Sequence, residues 1–430
     1  MASERKFYGW YLVAALWVIY LINVGYAMYG ASVVNTFMIK DLDMSRKTLG
    51  LGFALFMLLQ GLPGSLIAMM INKKGIRYTL CFGSLLIIIG SALMATVVST
   101  PLMFFLVFGV IMGLGVGFGS VLCLQTGVTL WFNRKRALAM SIALTAAGVG
   151  GFIAAPTLVN VLALTGNSWR AGWFFIGGLS LLAFIISILF VKNKPSDLGQ
   201  YPDGINPSQA KFEGASAAKG SNVFKTADEW TTSQALKTGS IWLIFIGSVG
   251  FYVPYLLCVS HGVAHFMDQG FTKEAAAMSI GVLTLFSIIG RLLGGAIGDK
   301  IEPRFIWSIS LLILFAGVLT GMVATTQLHI YLYAVLVGVG FGAAFVCMPT
   351  LFANYYGPKA FASIMGTLFP LLTIFASSAP FIAGWIFDSM GSYRIAFIGA
   401  SVFCLIGALT LLLAKPVKLQ VTGRESVPVS

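Results

Sequence analysis

FSIIGRLLGGAIGDKIEPRF, residues 286–305, carries one cation, Arg291, within an apolar run and then turns through a charged loop. A guanidinium inside a membrane-spanning helix costs roughly 2.5–3.5 kcal/mol on insertion scales, so it faces a cavity or a partner rather than lipid. The chain has 27 Lys and Arg and 14 Asp and Glu, and every other one falls in a loop, in a tail or at the end of an apolar run. Arg291 is therefore the first candidate for function. The chemistry it suggests is holding an anion part-way across a bilayer.

The same pattern of apolar run and polar turn repeats from end to end. The 430 residues are 58% hydrophobic and only 10% charged, with a mean hydropathy of +0.91. Soluble domains average about 25% charged residues, so the sequence predicts an all-α integral membrane protein. Twelve apolar runs, near 10–38, 48–71, 78–99, 101–131, 137–164, 171–191, 240–267, 275–298, 305–326, 329–356, 361–387 and 393–414, are each long enough to cross a ~30 Å hydrocarbon core. The alternating ten-residue segments of a membrane β-barrel are absent.

The net charge of +13 does not point to nucleic acid, because its placement follows the membrane. With a cytoplasmic N-terminus, Lys40, Arg46, Lys47, Arg170, Lys273 and Arg394 lie outside, Arg291 lies in the membrane, and the other 20 of the 27 basic residues lie inside. That is the positive-inside bias, and it predicts both termini in the cytoplasm. No cleavable signal segment is read at the start, and no acceptor site for N-glycosylation is present. A bacterial inner membrane, with the protein as a monomer, is the expectation. The five cysteines sit in apolar runs at no metal-ligand spacing, which suits small core hydrophobes. No cofactor or metal is implied.

The only long polar stretch, 193–239, is rich in Gly, Pro, Ser and Lys, and is predicted to link two six-helix bundles, 1–192 and 240–414, ahead of a tail at 415–430. Within it, Asp228–Lys237 suits a short amphipathic helix. Two internal matches support duplication. AMMINKKGIRY (68–78) aligns with GAIGDKIEPRF (295–305), and GVGFG recurs at 115–119 and 338–342, at offsets of 227 and 223 residues.

Twelve runs, a central linker and G-x-x-x-D-K-x-x-x-R at 295–304 together resemble the major facilitator superfamily. That resemblance implies two pseudo-symmetric six-helix bundles, and a gating role for Asp299, Lys300 and Arg304. The first copy of the motif, Asn72, Lys73 and Arg77, has Asn in place of the acid, so a charge-based gate there is weaker. FSIIGRLLGGAIGDK (286–300), SHGVAHFMDQGFTKEAAA (260–277) and WFNRKRALAMSIALTAAGVGG (131–151) are similar to the monocarboxylate transporters and the oxalate–formate antiporters. By that likeness Arg291 contacts the substrate carboxylate. Two departures narrow it. Ser287 stands where animal monocarboxylate transporters have an Asp, and about Leu372 stands where the oxalate carrier has a second cation. One intramembrane cation favours a substrate with one negative charge.

Around Arg291 several side chains become candidates. Ser287, one turn away on the same face, could bond a substrate or its own backbone. Tyr26 and Tyr29 in the first run, and Tyr252 and Tyr255 beside Pro254 in the seventh, could line the cavity or simply pack. Gln125 is a polar group within a run, suited to an interhelical bond or a substrate. His261, near the outer end of the seventh run, could carry a proton. The glycines at 113–119 have no strand before them and no Lys-Ser/Thr after them, so they read as helix-packing residues. The functional expectation is a secondary carrier of small organic monoanions, by proton coupling or anion exchange. A major facilitator carrier of a dicarboxylate, a drug or a sugar is the alternative. Nothing suggests an enzyme, since no nucleophile–base pair or metal cluster lies in the runs.

Overall fold

A computed structural model describes residues 6–206 and 223–419. Among them the chain is helical throughout, without a strand. The helices are α1 Gly9–Tyr20, α2 Ala31–Asp41, α3 Arg46–Gly61, α4 Gly64–Thr96, α5 Pro101–Phe104, α6 Gly113–Phe118, α7 Val121–Trp131, α8 Arg136–Leu164 and α9 Trp169–Phe190. After the linker come α10 Thr232–Leu236, α11 Gly239–Asp268, α12 Lys273–Gly298, α13 Pro303–Met322, α14 Gln327–Met390 and α15 Arg394–Leu413. Two π-helical stretches, Leu21–Gly30 and Phe105–Met112, run without a break into the helices around them. Ten helical segments are long and apolar enough to cross a membrane. Two of these pass through a left-handed glycine, Gly75 at φ 85° in α4 and Gly357 at φ 77° in α14. At either point a Cβ would strain the backbone.

The chain forms helices on one face in a different way from the other. Away from the basic loops each helix start is capped locally: the hydroxyls of Ser45, Thr100, Ser168, Thr272 and Thr326 accept backbone N–H bonds from residues three further on. At the basic face α8 begins after Lys135, whose side chain offers no cap. Its first amides are instead served from distant parts of the chain: Asp203 accepts from the N–H groups of Asn133 and Arg134, and Asp299 from those of Ala137 and Leu138. The short helix expected at 228–237 is α10, closed by a reciprocal Thr231–Gln234 capping box. The remainder of the expected linker and tail, 207–222 and 420–430, lies outside the described residues.

The helices of 9–190 pack on one another, as do those of 239–413, and the two groups meet chiefly along α8 with α12 and α4 with α14. Glycine permits the closest crossings. A Cβ on Gly25 would lie 2.6 Å from the Gly150 Cα, and one on Gly366 would lie 2.4 Å from the Ala68 Cβ. The hydrogen bonds that join the two groups among the described residues lie between the basic face and Arg291. Pro254 sits inside α11, which continues through it. The first run is the irregular one, through the π-helical Leu21–Gly30.

The Gly25–Gly150 contact makes a simple test. Gly25→Val should destabilise the protein by about 1–3 kcal/mol through overpacking, read as a lower midpoint of thermal unfolding in detergent. Gly50→Ala, where a Cβ meets nothing within 4 Å, should leave that midpoint unchanged.

Candidate functional site

Arg291 is positioned by the crossing of α12 and α14. Gly338 and Gly342 of the second GVGFG lie against the α12 backbone, where a Cβ would come 2.4 Å from the Leu283 carbonyl oxygen and 2.1 Å from that of Ser287. So close an approach brings Phe341 and Phe345 to Arg291, whose Cζ lies 6.0 Å and 5.2 Å from the two ring centroids. Across the seam, Nη1 donates to the Leu144 carbonyl of α8 at 3.1 Å. Gly148, one turn on, leaves room for the guanidinium: a Cβ there would sit 3.3 Å from Nη1.

The charge is under-satisfied. Arg291 is 5% exposed and, among the described residues, has no acid partner; Nε–H is sealed from solvent without an acceptor there. A guanidinium has five N–H donors, of which one makes a hydrogen bond to the described residues. Two aromatic faces offset part of the desolvation cost, each cation–π contact contributing about 1–2 kcal/mol. An anion beside the group would satisfy the rest, and the planar fork suits a carboxylate.

Four phenols surround this cation. Tyr20, Tyr29, Tyr252 and Tyr255 lie within electrostatic reach of Arg291, and Tyr20 also within reach of Tyr29 and Tyr252. Tyr255 stacks face to face on Phe341, 3.5 Å between centroids, while Tyr252 meets Phe341 and Phe345 edge-on. Tyr29 is 43% exposed, whereas Tyr20 and Arg291 are each 5% exposed.

Between Arg291 and the basic face, the two groups of helices are closed on each other. Asp299 caps α8, and Arg136 Nη1 donates to the Asn354 Oδ1 at 2.6 Å. On the other seam Asn72 Nδ2 donates to Ser363 Oγ at 2.6 Å, and Ser65 Oγ to the Gly366 carbonyl at 3.1 Å. Burial raises the Asp299 carboxyl above the ordinary range; the Ala137 and Leu138 amides, Lys225 and Arg136 oppose it. The equivalent positions Asp299 and Asn72 thus both cross the seam, one as a carboxylate and one as a neutral amide. Their companion arginines do not cross it. Arg77 Nε donates to the Val191 carbonyl at 2.6 Å and Arg304 Nη1 to the Ala414 carbonyl at 3.0 Å, each closing the C-terminal end of the last helix in its own group. Lys73 and Lys300 are exposed to solvent.

A model of the family described as Major Facilitator Superfamily matches residues 16–376, and again 266–428. The chain belongs to the Major Facilitator Superfamily. Among curated relatives in the superfamily, human (Homo sapiens) monocarboxylate transporter 2 is 24% identical over 385 residues, covering 84% of this chain and 76% of that protein. Mouse (Mus musculus) monocarboxylate transporter 10 is 26% identical over 420 residues, covering 94% and 78%. In three dimensions the fold is shared with the major facilitator transporter FucP in the outward conformation, at a TM-score of 0.69 and 15% identity, over 94% of this chain and 99% of that one. The protein is a multi-pass membrane protein of a transporter family, related to monocarboxylate transporters.

Within this superfamily member, the structure brings Arg291, Tyr29, Tyr252 and Tyr255 near one another and engages four other expected residues differently. Tyr26 is buried against Phe175, its hydroxyl 3.5 Å from Thr157 Oγ1. The Ser287 hydroxyl returns to the Thr284 carbonyl of its own helix at 2.9 Å, and the backbone beside it abuts Gly342. Gln125 is wholly sealed from solvent, with neither amide atom bonded among the described residues. His261 lies elsewhere, its ring nitrogens 2.9 Å from the Pro380 carbonyl and 3.2 Å from the Tyr393 hydroxyl. Sequence reasoning missed Tyr20, Phe341 and Phe345. The second GVGFG was the available signal for Phe341, since a residue between crossing glycines is carried into the contact, and Phe345 lies one helical turn further on.

Tyr20 was hidden by helix phase. Tyr20 and Tyr29 are nine residues apart, two and a half turns of an α-helix but about two of the wider π ladder. Tyr20→Phe should therefore raise the apparent Kd or KM for the transported solute by about 2–10-fold, the worth of one hydrogen bond. Tyr26→Phe should leave it within twofold. Binding titration of the two purified variants checks this.

Proposed function

We propose that the protein is a secondary carrier of small organic monoanions, monocarboxylates foremost, with the carboxylate paired to Arg291 midway through the membrane. The reading rests on one observation: a buried guanidinium that makes one hydrogen bond and no ion pair among the described residues, within electrostatic reach of four phenols. Four hydroxyls and two aromatic faces suit a short molecule with one charge and few polar groups. A second carboxylate would find no second cation among the residues gathered here, and a cationic drug would find no acid. A neutral sugar would leave Arg291 unpaired.

In this proposal the chain crosses the membrane twelve times. α4 and α14 each divide at their left-handed glycine into two apolar stretches, and the stretch of α4 before Gly75 completes the span that α3 begins. Two six-helix bundles, 9–190 and 239–413, rock about the Arg291 site, with the basic face and both termini in the cytoplasm of a bacterial cell and the structure open to the outside. Asp299 and Asn72 act in the gate on the cytoplasmic side. Lys73 and Lys300 flank it, and Arg77 and Arg304 hold each bundle together.

Coupling follows from charge. No acid accompanies Arg291, so the empty site carries a net positive charge that must pass through the closed intermediate, whereas the loaded site is close to neutral. Exchange of one anion for another is then faster than return of the empty carrier. His261 lies outside this path and is not required for it.

Two measurements test the proposal. Screening small carboxylates by thermal shift or uptake should find ligands whose affinity falls about 30-fold or more in Arg291→Ala, the effect of removing one partner of a buried ion pair. Retained binding, or a preference for neutral ligands, would sink the reading. In proteoliposomes, preloading with the same anion should speed uptake several-fold. Equal rates into empty and loaded vesicles would exclude exchange as the dominant cycle.

A further inference from the structure

Residues 224–230 lie as a strap on the basic face, and nearly all their attachments go to one side of the seam. The Phe224 N–H donates to Glu302 Oε2 at 2.8 Å, and its ring meets that of Tyr355 edge-on at 5.7 Å. The Thr226 N–H donates to the Asn354 carbonyl at 2.8 Å. Asp228 Oδ2 accepts from the Leu419 N–H at 3.1 Å, Glu229 pairs with Lys359, and buried Trp230 meets Tyr356 edge-on at 5.3 Å. All these partners belong to the 239–413 group or directly follow it. The strap is therefore bound to that group through backbone bonds, rings and an ion pair.

One side chain reaches the other way. Lys225 Nζ donates to the backbone carbonyl of Asn133, in the loop that opens α8. It stands there among Asp299 and Asp203, which attract it, and Arg136 and Arg134, which repel it, in a setting where burial lowers its pKa. The same short loop is held by Asp203 and Asp299 at its amides. So the ammonium lies within electrostatic reach of two carboxylates that bond the same loop, one of them from across the seam. A lysine tethered to one bundle and bonded to the backbone of the other is a bolt that must be withdrawn before the two can part.

We infer that Lys225 is a latch on the closed basic face: its bond to the Asn133 carbonyl forms only while the two bundles are shut there and sets how often they open. This rests on the rocking cycle proposed above, and it assigns the linker a working part rather than a passive tether. Solvation of the freed ammonium compensates part of the lost bond, so the latch is weak enough to cycle. The strap stays with the 239–413 bundle throughout.

The test is a distance distribution in the full-length protein. The five native cysteines are replaced, and spin labels are placed at Lys74→Cys and Ile301→Cys, exposed positions on either side of the seam. Lys225→Gln should raise the population with a long distance at least threefold over the parent. Lys225→Arg, which keeps a cationic donor, should stay near the parent. Asn133→Ala should also match the parent, because the acceptor is a backbone carbonyl and survives the substitution. The latch is overturned if Lys225→Gln gives the parent distribution, or if Asn133→Ala reproduces its effect. If neither the parent nor any variant shows a second distance, even with a monocarboxylate present, rocking itself is absent and the proposed function falls too. A Lys225→Gln chain that fails to fold would be replaced by Lys225→Met, judged by the same distances.

Discussion

A cation desolvated among aromatic rings, with a main-chain carbonyl as its protein acceptor, organises everything else in this molecule. Arg291 cannot face lipid at acceptable cost, so α12 must turn it inward; glycines of α14 must then let two phenylalanines come close enough to shield it. Its hydrogen bond to α8 makes the same side chain a contact between the two groups of helices. Under the proposed function, binding and closure share an atom set. A ligand that competes for the guanidinium also acts on the seam, which couples occupancy to shape without any long-range pathway.

The two faces of the protein are terminated by different physics. On one, Ser and Thr side chains cap helices from three residues away, so those ends stay satisfied whatever the bundles do. On the other, the start of α8 depends on Asp203 and Asp299, which are remote in sequence, and Asp299 lies across the seam. When the bundles separate there, part of that cap leaves and water must replace it. The basic face is thus the one whose helix ends register the state of the transporter.

Most of the architecture was legible because the bilayer imposes a simple rule. Apolar length and low charge needed no tertiary information to give an all-helical membrane chain, and the charged loop motif at 295–304 with the central linker carried the resemblance to the superfamily that the family match shows. Reading single side chains was harder, for identifiable reasons. Tyr26 and Tyr29 look equivalent on an α-helical wheel, but a π ladder between Leu21 and Gly30 changes the phase and pairs Tyr29 with Tyr20. Ser287 satisfies itself locally, as hydroxyls in helices often do. The arginines of the repeated loop look like parts of a charged lock, yet each finds a helix C-terminus in its own half. Periodicity shows which residues share a face; it does not show which neighbour that face meets.

At several of its decisive contacts the seam recognises main chain. Arg291 reaches the carbonyl of Leu144, Asp299 the amides of Ala137 and Leu138, and Lys225 the carbonyl of Asn133. An alanine scan along that stretch of the first half would pass over these acceptors and donors without a signal, because truncating a side chain leaves them in place. On that side evolution is likewise free to vary residue identity, so long as the helix keeps its course; the burden of chemical fidelity falls on the few charged groups opposite.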